Sequence, residues 1–351
     1  MLNWKTVRVA GLVFVLSSVL AACSSKPTST DQATEEKPAL TPVTFVTDWK
    51  AQAEHGGFYE ALAEGLYEKA GLKVSIMQGG PGVNVPQLIA GGAADFGMGS
   101  NGFIPLNMVK EGVKVKAVMA VFQKDPQVLM THPRDDVKKL GDMKGKPILI
   151  SDAATTTFWP WLKAKYGFTD TQIRKYTFNA APFIVDPKAI QEGYLSSEPF
   201  TVEQEGHFKP QVFLLADNGY PGYANMVLVP QKWIDTNSKA VQAFVDATIV
   251  GWMDYLYGDP APANALIRKD NAEMTDALLS QAIEKMKSYG ITMSGDALAL
   301  GLGSMSDARW KTFFETMSSE KLYDPKLSYK DAYDLQFVNK KIGLEKFHPA
   351  P

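Results

Sequence analysis

Cysteine is nearly absent from this 351-residue chain, which has only Cys23. That excludes an internal disulfide framework, a paired-cysteine redox motif and a cysteine zinc site. Histidine is scarce as well. His132 and His348 adjoin prolines, His207 sits in a Glu205-Gly206-His207 turn, and only Asp48 and His55 lie near each other, so no metal-ligand set gathers. An excess of either charge is also missing, since 36 Lys and Arg against 38 Asp and Glu leave a net charge of -2. With no basic stripe carrying interleaved aromatics, the electrostatic case for nucleic acid falls away. No G-x-S-x-G, H-E-x-x-H or phosphate-loop pattern occurs, which removes the usual hydrolase motifs. No internal repeat is visible.

What is present begins with Lys5 and Arg8, followed by an apolar run from Val9 to Leu20 and the small residues Ala21-Ala22. The run falls short of the roughly 18 residues of a spanning helix and has the layout of a secretory signal. With the lone cysteine directly behind it, residues 1–22 resemble a bacterial lipoprotein signal. That resemblance implies cleavage before Cys23, acylation of its sulfur and amino group, and a protein tethered in the cell envelope, outside the cytoplasmic membrane. Two or more acyl chains make such an anchor stable. Residues 23–42 are polar and Pro-rich, the composition of a flexible tether.

From Val43 the pattern alternates strand and helix. Strands are expected at Val43–Asp48, Leu72–Met77, Ala94–Met98 and Val115–Phe122, with helices between them, the first running to about Ala70 and another starting near Asn84 and stopping at Gly91-Gly92. A crossing strand at Gln127–Thr131 opens a second set: Pro147–Ser151, a helix Thr157–Tyr166, a strand near Arg174–Phe178, a helix around Pro187–Gln191, and Gln211–Asp217. Ala224–Val229 is again a strand. Beyond Pro230, helices are expected at Val241–Leu256, Pro260–Lys269, Thr275–Tyr289 and Ser306–Ser318. The fold class is α/β with mainly parallel sheets. Lobe 1 comprises 43–124 and 224–345, with the helical tail, and lobe 2 comprises 125–223, with hinge segments and a ligand cleft between them.

The stretch Thr47–Tyr59, TDWKAQAEHGGFY, is the turn from the first strand into the first helix, the place where open α/β sheets bind ligands. Asp48, Trp49 and His55 are its candidates. Ser100 and Asn101 follow the third strand, where they could face the cleft or cap a helix. Thr156 and Thr157 precede the first helix of lobe 2, as anion donors or as caps. Glu198 follows Ser196-Ser197 in a turn and could accept from an amine.

The order of VTFVTDW, GLYEKAGLKVSI, QLIAGGAADFGMG, LGDMKGKPILIS and EGYLSSEPF resembles the substrate-binding proteins of ABC importers in the alkanesulfonate, taurine, nitrate and thiamine-pyrimidine group, the SsuA/THI5-like family. This resemblance implies a type II periplasmic-binding fold, a monomer that closes on a small solute, and a permease and ATPase as partners, with no cofactor. Trp49 followed six residues later by His55 is similar to the binders of the thiamine precursor formylaminopyrimidine. A planar heteroaromatic needs a stacking face, which Trp49 offers, with Phe58, Phe158 or Tyr194 as the opposite wall. The glycine-rich Gly79–Gly82 departs from the pattern of the pyrimidine binders and could reshape the pocket for a larger ring such as a flavin or for another aromatic, and the threonines keep alkanesulfonate, taurine or nitrate open. Pyrimidine-synthesising enzymes of the group carry a lysine and a histidine where this chain has Gly99 and Phe103. Without the lysine there is no Schiff-base anchor, so the expectation is a non-enzyme.

Overall fold

The computed structural model describes residues 39–80 and 82–347. The signal segment, Cys23 and His348 lie outside the described residues. Among the described residues, ten strands form two five-stranded sheets. The first contains β1 (Thr41–Val46), β2 (Leu72–Met77), β3 (Phe96–Asn101), β4 (Val115–Phe122) and β10 (Ala224–Pro230) in the order β2-β1-β3-β10-β4. The second contains β5 (Gln127–Thr131), β6 (Ile148–Ile150), β7 (Ile173–Lys175), β8 (Ile190–Tyr194) and β9 (Gln211–Leu214) in the order β7-β6-β8-β5-β9.

The two orders are the same topology. In each sheet the strand arriving from the other lobe, β10 or β5, runs antiparallel between the last two local strands. The repeat thus exists in the fold without a visible sequence repeat. The chain passes between sheets at residues 123–126 and 215–223.

Local sequence explains most elements. The run VKAVMAVF is apolar throughout and β4 is buried along nearly its whole length, as a strand covered on both faces must be. The edge strand β2 alternates buried and exposed positions over its first half. Asn84 accepts from the Gln87 amide at 3.1 Å and starts the helix Val85–Ala90; Thr275 does the same for Asp276–Ser288 through Leu278, also at 3.1 Å. The long helix Gln231–Tyr257 buries Val241, Phe244, Val245, Ile249, Trp252 and Leu256, one apolar stripe.

Four expectations are corrected. Residues 187–191 are not helical: the helix is Ala181–Val185, and β8 begins at Ile190 because β5 and β6 take up both of its backbone edges. The segment Glu198–Gly206 is a helix that the sequence reading left unassigned, with Pro199 in its first turn, where a missing N–H costs little. The first helix breaks at Gly65, whose φ of 64° is left-handed, into Gly56–Ala63 and Leu66–Lys69. The strand β3 extends to Asn101, so Ser100 and Asn101 end it.

The helix Gly56–Ala63 seats the turn after β1 by packing closely on Gln231–Tyr257. A Cβ on Gly251 would lie 2.4 Å from the Gly57 carbonyl oxygen and 2.7 Å from the Ala61 nitrogen. Gly251→Ala gains about 1 kcal/mol of helix propensity, but the clash is with backbone that cannot rotate away. A net loss of about 1–3 kcal/mol is expected in chemical denaturation. An unchanged midpoint would show that the two helices have room.

Candidate ligand-binding site

The turn after β1 is held from beneath by Gly79. Its amide donates to the Trp49 carbonyl at 3.0 Å and to Thr47 Oγ1 at 3.1 Å, while Thr47 Oγ1 donates to the same carbonyl at 2.7 Å. A Cβ on Gly79 would sit 2.4 Å from the Thr47 carbonyl oxygen, so only glycine permits this approach. The backbone is thereby fixed on both sides of Asp48. Asp48 Oδ2 accepts from Ser100 Oγ at 2.5 Å, and Oδ1 lies 3.4 Å from His55 Nε2. Three candidates from separate elements thus meet at one carboxylate. His55 is fully buried, and within the described residues neither of its ring nitrogens has a hydrogen-bond partner, so its neighbour is Asp48 and not the open cleft. Asn101 Oδ1 instead accepts from the Phe103 amide at 3.1 Å, at the start of the helix Phe103–Lys110, whose N-cap position is Gly102.

Trp49, half-buried, meets Phe178 of the second lobe with ring centroids 3.7 Å apart at 41°. Phe178 is in turn 4.9 Å from Tyr176. Phe178 has a φ of 63° and is 36% exposed, so a bulky apolar side chain is held out of the core by a left-handed backbone. The sequence reading missed it; the available signal was an aromatic pair just past the carboxyl end of β7. The walls expected from sequence fare differently. Phe58 is fully buried, 4.5 Å from Phe45 and edge-on to Trp252 at 5.9 Å, and so belongs to the first lobe's core. Phe158 is also buried, at the start of Phe158–Tyr166. Tyr194 alone is half-buried, and burial with Asp125, Asp48 and Glu54 nearby pushes its hydroxyl well above the usual phenol range.

Carboxyls gather here with no cation. Glu54 is buried and accepts from Ser196 across the lobes, while its backbone carbonyl takes the Asn225 amide at 2.5 Å. Desolvation raises Glu54, pushes Asp125 up to about 7, and takes Glu192 to about 8. Glu198 is pushed to about 7 by the same cause. Its oxygens are already engaged, Oε2 by the Tyr194 amide at 2.7 Å and Oε1 by the Tyr176 hydroxyl at 3.3 Å. Among the described residues, none of these four carboxyls has a Lys or Arg at ion-pair distance. Nor does any group of three or more His, Cys, Asp or Glu side chains converge to hold a metal among the described residues.

The threonine cluster spends its hydroxyls locally. Thr155 donates to the Asp152 carbonyl at 2.6 Å, Thr156 to Ala153 at 3.2 Å, and Thr157 to Ala153 and Ala154 at 3.3 Å each. Thr156 is exposed and Thr157 buried.

Two five-stranded lobes of one strand order, each taking in a strand from the other, have the type II periplasmic-binding fold. The family model described as NMT1/THI5 like matches residues 52–263, more than half of the chain, which therefore belongs to that family. A riboflavin-binding protein, RibY, of Chloroflexus aurantiacus is 23% identical over 351 aligned positions, covering 95% of this chain and 98% of that protein. A formylaminopyrimidine-binding protein of Halalkalibacterium halodurans is 24% identical over 299 positions, covering 81% and 87%. Among solved structures, the alkanesulfonate-binding protein SsuA of Xanthomonas axonopodis pv. citri bound to MOPS has a TM-score of 0.61 at 13% identity, covering 85% of this chain and 99% of that one. Among the described residues no helix is long and apolar enough to cross a membrane.

The buried carboxyls set a pH dependence. Each binds its proton more tightly folded than unfolded, so its stabilisation is complete below the unfolded value near 4 and is lost as pH rises through about 7 to 8. Exposed carboxylates held low by neighbours, such as Asp136 beside Arg134, act at still lower pH. Thermal unfolding should therefore come at higher temperature near pH 5.5 than near pH 8.5, and Glu192→Gln should remove part of the difference. A flat profile between these two values would contradict the assignment.

Proposed function

We propose that this protein is the solute-capturing component of an ABC importer and that it takes a small planar heteroaromatic with N–H donors on its edge, of the thiamine-pyrimidine-precursor or flavin class. The observation that carries the reading is the Trp49–Phe178 contact, in which two aromatic faces from different lobes meet at the carboxyl end of β1. Without a ligand the rings cover each other; a flat ring slid between them gains two stacking faces and loses its water. Asp48, oriented by Ser100 and flanked by His55, accepts from an amine or amide edge of that ring. Tyr194 and Glu198 close the other side, with Glu198 fixing the Tyr194 backbone and Tyr176 more than meeting the ligand itself.

Several observations support this class over sulfonate, taurine or nitrate. An anion would find no Lys or Arg at ion-pair distance from these buried carboxyls among the described residues, and the threonine hydroxyls that could have bound it are already donated. Named relatives bind riboflavin and formylaminopyrimidine, both flat heteroaromatics. The enzyme reading lacks its lysine, since the corresponding position is Gly99 inside β3 and a Cβ there would press on Leu228 at 3.1 Å. A permease and an ATPase complete the importer, and lipidation of Cys23 would keep the binding component at the membrane face.

Trp49→Ala and Phe178→Ala should each weaken binding of formylaminopyrimidine or riboflavin by about 1 kcal/mol or more, roughly fivefold to tenfold in Kd by calorimetry. Affinity unchanged in both variants would sink the stacked-ring reading.

A further inference from the structure

Both passages between the lobes are gripped by one stretch of the carboxyl-terminal half, Ile291–Arg309. In the first passage, the Gln123 amide donates to the Ile291 carbonyl at 2.7 Å, and Gln123 Nε2 donates to the carbonyls of Ala120 at 2.9 Å and Ser304 at 2.8 Å. The Gln123 carbonyl accepts from Arg309 Nη2, and Arg309 Nη1 reaches Gln123 Oε1 at 3.5 Å. In the second passage, the same Nη2 reaches the Gly222 carbonyl at 3.4 Å, and the guanidinium lies 4.1 Å from the centre of the Tyr223 ring. The Tyr223 hydroxyl donates to Asp296 Oδ2 at 3.1 Å and accepts from the Ser306 amide at 3.0 Å, while Ser306 Oγ donates to the same Asp296 oxygen at 2.6 Å. A cavity of about 560 Å³ adjoins this contact, lined by Gln123, Lys124, Tyr220, Gly222, Asp296 and Arg309 among others.

We propose that Arg309 is a positioning residue for ligand capture: by joining Gln123 of one passage to Gly222 and Tyr223 of the other, it makes the two passages turn as a single hinge. Two flexible connections between rigid lobes would otherwise permit twisting and shearing as well as closure. The planar guanidinium can meet two carbonyls and an aromatic face at once, which a lysine ammonium cannot reproduce. When the passages move independently, fewer ligand-free molecules have the lobes aligned, and apparent affinity falls by that fraction. Trp49 and Phe178, one on each lobe, need that alignment to face each other.

The test uses the full chain carrying Cys23→Ser, with spin labels at Lys110→Cys on lobe 1 and Lys188→Cys on lobe 2, both exposed. The inter-lobe distance distribution is measured without ligand for this background and for Arg309→Met, Arg309→Lys and the core control Ile249→Val. Arg309→Met should broaden the distribution about twofold. Arg309→Lys should broaden it less, and Ile249→Val should lower the melting temperature without broadening it. Affinity for formylaminopyrimidine or riboflavin should fall roughly tenfold in Arg309→Met. An unbroadened distribution in Arg309→Met, with only a lower melting temperature, would overturn the proposal; if that variant does not fold, Arg309→Lys decides by the same criterion. Because the distance measurement needs no ligand, a failure of both probes to bind the parent chain would count against the proposed solute class and leave the hinge result standing.

Discussion

The Asp48 carboxylate is the point on which the site's geometry depends. One oxygen holds Ser100 at the end of β3 and the other faces His55 at the start of the first helix, so two adjacent strands and a helix are tied together at the carboxyl edge of the first sheet. Gly79 presses on the backbone before and after it, and the close approach at Gly251 keeps the helix from sliding. The Trp49 carbonyl is held by the Gly79 amide and the Thr47 hydroxyl, and its indole meets Phe178 of the second lobe. A ring bound by stacking needs an aromatic face held in place, and a backbone pinned in this way supplies one.

The second constraint is electrical. Glu54, Asp125, Glu192 and Glu198 are carried into low-dielectric surroundings with hydrogen-bond partners and, among the described residues, no Lys or Arg at ion-pair distance, a costly arrangement that raises the proton affinity of each. Burial raises Glu54, which accepts from the Ser196 hydroxyl across the lobes. The Gln281 amide donates to the Ser196 carbonyl from the helical tail, so this inter-lobe bond is braced from a third direction. Among the described residues none of these carboxyls has a Lys or Arg at ion-pair distance, and the solute class proposed above rests in part on that.

The sequence was most legible where local signals and tertiary packing agree. VKAVMAVF is a strand by composition and by burial, and Asn84 and Thr275 cap the helices that follow them; the stripe from Val241 to Leu256 packs as its spacing requires. The turn Thr47–Tyr59 could be singled out because a carboxylate, an indole and an imidazole stood together after a β-branched run. It was less legible where partners distant in sequence decide the outcome. Residues 187–191 look weakly helical, yet backbone edges offered by β5 and β6 draw Ile190 and Gln191 into a strand. Phe58 looked available as a wall because spacing cannot say which face of a short helix meets Trp252. Phe178 is marked in the sequence only by the aromatic pair it makes with Tyr176, because its contact with Trp49 exists only once two lobes, far apart in the chain, are set against each other.

The central claim is that the cleft takes a flat, uncharged or amine-bearing ring and not an anion. Calorimetric titration of the full chain with formylaminopyrimidine, riboflavin, taurine and nitrate at one pH tests it most directly. The account predicts saturable binding of at least one of the two heteroaromatics and none of taurine or nitrate. Binding of taurine or nitrate, with both ring compounds silent, would contradict it.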